Sequence, residues 1–253
     1  MDLKIKISLI CSLFVLFSLT FAAKASESNY LIYVIFYIFI HSVPYFILRK
    51  FGNCAVKSPK SSVENKIYLS SVILSASLLF SFILTGIFND SNVSSYSFNT
   101  ETLIFSGIIV PVLEEVFWRG TVTYGLLSAG KITASVISSV LFGFLHSGVS
   151  GLIYGVFAGI LFSVLYISTG SLIPGIVIHI INNIAAILSI RFPFIVIPVY
   201  VTSAITAIVF YLISRCKGKH NISVDNSSVI NIFSEPFLYI SLIIFMMYRY
   251  LLV

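Results

Sequence analysis

Residues 102–127 read T-L-I-F-S-G-I-I-V-P-V-L-E-E-V-F-W-R-G-T-V-T-Y-G-L-L, an apolar run interrupted by Glu114, Glu115 and Arg119. A run of this length crosses a bilayer, whose hydrocarbon requires roughly 20 apolar residues per helix. Bare charges there are unfavourable: an Asp, Lys or Arg near a helix centre costs about 2.5–3.5 kcal/mol on insertion scales. The three groups therefore require partners, and helical spacing supplies one. Glu115 and Arg119 stand four residues apart with the acid first, the favourable order for an ion pair on one helix face. Glu114 lies about 100° away around the helix, out of easy reach of the same guanidinium. One carboxylate is thus read as structural and the other as unclaimed.

The rest of the chain repeats the apolar pattern. It has 253 residues, 58% of them hydrophobic and only 9% charged, with mean hydropathy +1.05, whereas soluble domains carry about 25% charged residues. Apolar runs fall near 7–23, 30–48, 67–88, 102–127, 132–147, 151–168, 172–190, 194–213 and 236–252, separated by short polar breaks. No ten-residue segments alternate apolar with polar, which excludes a transmembrane barrel. The expected fold is all-α, a polytopic transmembrane helical bundle of about eight or nine spans, forming a single integral membrane domain over residues 1–253.

Basic residues orient the bundle. With a cytoplasmic N-terminus, inner loops collect Lys4, Lys6, Arg49, Lys50, Lys57, Lys60, Lys66, Lys131, Arg215, Lys217 and Lys219, against Lys24, Arg191 and Arg249 outside. This positive-inside asymmetry accounts for the formal charge of +6 and gives no reason to invoke nucleic acid. The expected location is the cell membrane, multi-pass, with the lipid bilayer as a partner. Residues 1–25 combine a basic start, an apolar core and A-K-A, as a signal peptide does; the length of the apolar core favours a retained first helix. The run 236–252 carries Arg249 and either spans or lies at the interface. Cys11, Cys54 and Cys216 are odd in number and scattered, so they suggest no disulfide framework.

Other polar groups lie inside later apolar runs. His146 sits in L-F-G-F-L-H-S-G, and His179 and Asn183 in I-V-I-H-I-I-N-N. Residues four apart share a helix face, so Asn183 follows His179 one turn on. At 1.5 Å per residue Glu114 lies about 18 Å from the outer start of its run, His146 about 21 Å from the inner start of its own, and His179 roughly 11 Å from the cytoplasmic side. These depths permit a common site. A packing triad of two acids and an arginine is the plainer alternative, but intramembrane ionisable groups are functional by default. Gly151, Gly155 and Gly159 repeat every four residues, a pattern for close helix approach. Pro111 is expected to free a carbonyl and bend the helix beside the acids, Pro174 to mark a helix start. His41 has no charged companion in its run and is read as structural.

The stretches E-E-V-F-W-R at 114–119, F-G-F-L-H at 142–146 and H-I-I-N-N at 179–183 match, in order and spacing, the E-E-x-x-x-R, F-x-x-x-H and H-x-x-x-N motifs of the CPBP family. That family comprises type II CAAX prenyl endopeptidases and bacterial bacteriocin-processing or immunity proteins, also called the Abi family. The chain resembles it over about residues 100–215, the expected catalytic core. The resemblance implies an intramembrane endopeptidase in which Glu114 with His146 activates a water, His179 and Asn183 hold the oxyanion, and Glu115 and Arg119 buttress the site. Phe142 matches the aromatic position of the second motif and is equally readable as core packing.

The implied chemistry is self-consistent. Peptide hydrolysis needs a nucleophilic water, a base, and donors where charge develops on the carbonyl oxygen. No serine or cysteine with a partnering base is evident in the sequence, which ranks an acyl-enzyme route low. Glu114, His146 and His179 would also make a His2Glu zinc set, but no H-E-x-x-H is present, so a metal-independent route without a cofactor is favoured and zinc kept as the alternative. The expected partner is a membrane-associated protein or peptide substrate. The competing functions are a non-catalytic membrane immunity or scaffold protein and an ion-coupled transporter; the latter is disfavoured by the lack of an inverted repeat.

Overall fold

The computed structural model describes residues 3–25, 30–51, 63–88, 99–146, 148–192, 194 and 196–216. The apolar run 236–252 and the loop residues Lys57, Lys60, Lys217, Lys219 and Arg249 lie outside the described residues. Within them the chain is helical, with no strand. Three helices, α1 (Leu3–Ala25), α2 (Tyr30–Phe51) and α3 (Val63–Phe88), come first. A segmented rod follows: α4 (Thr100–Ile104), a π segment (Phe105–Ile109), α5 (Val110–Phe117), a second π segment (Trp118–Thr123), α6 (Tyr124–Leu126) and a 3₁₀ turn (Leu127–Ala129). Four helices close the order, α7 (Lys131–Gly143), α8 (Gly148–Thr169), α9 (Ile173–Arg191) and α10 (Val196–Cys216).

The boundaries follow local chemistry. Asn99 caps α4, its side-chain oxygen accepting from the Thr102 backbone N–H at 2.7 Å, which satisfies one of the donors a helix start leaves open. Gly130, at φ 105°, separates the 3₁₀ turn from α7 with a backbone conformation that L side chains avoid. Pro174 stands in the first turn of α9, where its missing N–H breaks no helical bond. The sequence predicts that start.

The two π segments depart from regular α-helical periodicity. Val110 N–H donates to Phe105 O, and Tyr124 N–H to Arg119 O, each five residues back. The widened turns are tied by side chains: Thr121 Oγ1 donates to Val116 O at 3.3 Å and Thr123 Oγ1 to Trp118 O at 2.9 Å. Such insertions concentrate at functional positions because they re-aim side chains. Here they bracket α5, the segment that carries both glutamates.

The apolar core has two bodies, the first of which includes part of the rod. One is built from α1, α2, α5, the second π segment and α7, with Leu16, Phe117, Trp118, Leu126 and Phe142 at its centre. The other joins α3, α8 and α9 through Leu78, Phe162, Leu165 and Ile178. Outward faces are also apolar: Leu31, Ile35, Phe39 and Phe46 on α2, Ile173 on α9, and Ile197, Ile205, Ile208 and Leu212 on α10 are exposed. Meanwhile Glu114, Glu115, Arg119 and His179 are buried. A surface this apolar around a charged interior is the reverse of a water-soluble domain. Among the described residues one helix, Gly148–Thr169, is by itself long and apolar enough to cross a membrane, and shorter apolar helices include Leu31–Ile47, Lys66–Ser81 and Ile173–Ser189.

Candidate active site

The ion pair that the spacing predicts is present but long: Arg119 NH1 lies 3.4 Å from Glu115 Oε1, both side chains 1% exposed. Arg119 NH2 donates to the Gly159 carbonyl at 3.4 Å. Its guanidinium sits over the Phe142 ring at 4.5 Å and the Phe162 ring at 5.4 Å. Two aromatic faces thus replace the water that a buried cation loses. Phe142 is therefore more than filler, since it stacks on the cation that neutralises Glu115.

His179 joins the two glutamates. Its Nδ1 lies 3.0 Å from Glu115 Oε1 and its Nε2 3.7 Å from Glu114 Oε2. Adjacent residues on a helix point about 100° apart, so no single point charge meets both carboxylates squarely. An imidazole does, because its two nitrogens lie on different sides of the ring. The ring is held by Phe162 at 4.9 Å and by the edge of Phe142 at 6.1 Å. Gly175, one turn earlier on α9, leaves room for Glu115: a Cβ there would come 3.1 Å from its Oε2. That carboxylate also faces the first turn of α9, the end where the helix dipole favours negative charge.

Glu114 is not unclaimed. Its Oε1 accepts a hydrogen bond from the Tyr37 hydroxyl at 2.5 Å, and its Oε2 faces His179. Tyr37 escaped the sequence reading. The one available signal was its position four residues before His41, a weak cue in a chain with 14 tyrosines and 23 phenylalanines. His41, read as structural, stacks on the Tyr37 ring at 4.4 Å, and its Nδ1 lies 3.0 Å from the Tyr37 carbonyl.

Asn183 meets the rod, and Pro111 explains why. The Ser106 carbonyl would serve Val110 N–H in an α-helix, but that donor turns to Phe105 O. In a π-helix its donor would be residue 111, which is proline and has none. Asn183 Nδ2 fills the gap, donating to Ser106 O at 3.0 Å. The carbonyl freed beside the acids thus becomes the anchor of a residue one turn beyond His179. Asn182, next to it, donates to the Tyr154 hydroxyl and lies 3.4 Å from Ser77 Oγ.

His146 reaches the cluster by way of Phe142. Its ring meets the Phe142 ring edge-on at 5.0 Å, and its Nδ1 lies 3.3 Å from the Phe142 carbonyl. The glycine repeat seats it against α8. A Cβ at Gly155 would stand 2.6 Å from His146 Nδ1 and 2.9 Å from Gly143 Cα, and one at Gly159 would stand 2.9 Å from Ser139 Cα. The repeat is packing, as the spacing suggests, and it also makes the place for an imidazole. Gly155→Ala is expected to lower stability by about 1–3 kcal/mol through overpacking and turnover by about 100-fold through displacement of His146. Thermal unfolding in detergent and turnover, measured on the same preparation, check this.

Of the zinc set Glu114, His146 and His179, the structure brings Glu114 Oε2 and His179 Nε2 to 3.7 Å. Among the described residues no group of three or more His, Cys, Asp or Glu could hold a metal ion. The acid, base and donor groups of the cluster are two carboxylates, a guanidinium, two imidazoles, an amide and a phenol.

No curated protein and no solved structure matches the chain. Residues 97–185, which carry all three motifs, match the family model Type II CAAX prenyl endopeptidase Rce1-like, so that about a third of the chain is similar to that family, in agreement with the resemblance read from the motifs.

Proposed function

We propose that the chain is a multi-pass membrane endopeptidase that hydrolyses a peptide bond of a membrane-associated protein or peptide with a water activated by glutamate and histidine. The exposed apolar faces of α2, α9 and α10 support a polytopic bundle of about eight or nine spans, and the asymmetry of Lys and Arg between alternate loops supports an N-terminus in the cytoplasm. The catalytic core is assigned to residues 100–215. The observation that carries the chemistry is the convergence of Glu114 Oε2 and His179 Nε2 at 3.7 Å, with the other ring nitrogen tied to Glu115. At that separation a base and an oxyanion donor can flank one reacting carbonyl.

Glu115, held by Arg119, accepts from His179 Nδ1–H and so leaves Nε2 to face the reaction. Glu114 takes a proton from the water as its oxygen bonds to the scissile carbonyl carbon, and His146 shares in that activation from the Phe142 side. The carbonyl oxygen, now negative, is held by protonated Nε2 and by the second N–H of the Asn183 amide, whose first goes to Ser106 O. As the C–N bond breaks, the proton held by Glu114 passes to the leaving amine, giving a carboxylate and an amine. The elements of one water are consumed, and no oxidant or reductant is needed.

Asn183→Ala tests the donor. Loss of one oxyanion donor costs about 10²–10³-fold in turnover, while the orphaned Ser106 carbonyl costs about 1–3 kcal/mol of stability. A variant that loses stability alone would confine Asn183 to anchoring the rod. The proposal as a whole is tested by mapping new protein N-termini in membranes carrying the intact protein or Glu114→Gln. Termini found only with the intact protein are expected; identical sets would remove proteolysis.

A further inference from the structure

The hydroxyl of Tyr37, on α2, reaches Glu114 from outside the segment that matches the family model. Tyr37 is 5% exposed, and every side of its ring is packed. His41 stacks on it, Phe105 meets it edge-on at 5.7 Å, and Tyr33 lies tilted at 5.8 Å. The phenol therefore has little freedom to turn away. Glu114 Oε1 accepts that donor, while Oε2 faces His179. The two oxygens of one carboxylate therefore have different neighbours.

We propose that Tyr37 is a positioning residue of the active site: its hydroxyl fixes the Glu114 carboxylate so that Oε2, and not Oε1, is turned to His179 and to the water. A carboxylate without that tether rotates about its last torsion, which is broad and nearly two-fold, and spends part of its time with neither oxygen aimed. His41 acts behind Tyr37, as the surface on which the ring rests. The role in turnover rests on the hydrolytic reading of the site, whereas the tether itself does not. It makes α2 part of the working site, so that residues 97–185 alone would hold Glu114 without its aim.

Tyr37→Phe removes the hydroxyl and keeps the ring, so the contacts to His41, Phe105 and Tyr33 persist. With a peptide spanning a cleavage site found in the membrane comparison, kcat is expected to fall about 10–100-fold, the range for loss of an orienting partner, with KM and the thermal midpoint unchanged. In parallel, infrared spectra of protein labelled with 13C in its glutamate carboxyls are expected to show a carboxyl band that shifts between intact protein and Tyr37→Phe, and no such shift in a Glu114→Gln background. An unchanged kcat, a loss confined to KM, or an unshifted band overturns the proposal. If the intact protein cleaves nothing, the proteolytic reading fails by itself, and the infrared shift still decides whether Tyr37 holds Glu114.

Discussion

Glu114→Gln is expected to lower turnover by about 10³–10⁴-fold, at the upper end of what one general base contributes, while leaving the fold in place. The amide oxygen still accepts from Tyr37, at 2.5 Å in the intact protein, and the side-chain volume is conserved. On the proposed mechanism, what is lost is the ability to take a proton from water on the side that faces His179 Nε2. Turnover and thermal unfolding in detergent, measured together, separate the two effects. A large fall in the unfolding midpoint would reassign Glu114 to the architecture of the rod.

Arg119→Ala is expected to act in the opposite sense, on stability first. The substitution strands the Glu115 carboxylate, 1% exposed, and removes the cation that fills the space between Phe142 and Phe162. Breaking a buried pair from one side costs about 3–5 kcal/mol, and the vacated volume adds a cavity term. Arg119→Lys is expected to recover part of the loss, because it restores the charge but not the planar group that lies between two rings. Thermal unfolding of both variants against the intact protein gives the order: intact, then lysine, then alanine. Equal midpoints for lysine and alanine would mean that the stacked plane, and not the charge, holds the site.

The parts of the fold and site that are local in sequence could be read from it. The i,i+4 order of Glu115 and Arg119 is enough to predict their pairing, because helical geometry fixes which side chains meet. Pro111 and Pro174 act through a missing N–H, and that too is visible in sequence; the carbonyl freed near the acids is Ser106 O. The glycine repeat on α8 announces a close approach, since only the absence of a Cβ matters.

Tertiary partners could not be read in the same way. Depth arithmetic kept His179 within reach of the acids without showing that its two nitrogens divide between Glu114 and Glu115. Tyr37 lies 77 residues from its partner, and a tyrosine in an aromatic-rich apolar run has no spacing that marks it. The π segments also escape a 3.6-residue reading, because one inserted residue shifts the register without changing composition. They decide which carbonyl is left for Asn183.

The central claim is that Glu114, as the base, and His179, as the oxyanion donor, act as one unit in one step, and a double-mutant cycle tests it directly. Turnover is measured for the intact protein, Glu114→Gln, His179→Gln and the double variant, with unfolding midpoints confirming that each is folded. Residues that act as a unit are grossly non-additive. The double variant is expected to be no slower than the slower single variant. Losses that multiply across the two positions would contradict the claim and show that the 3.7 Å approach of Glu114 and His179 is packing, with each residue acting alone.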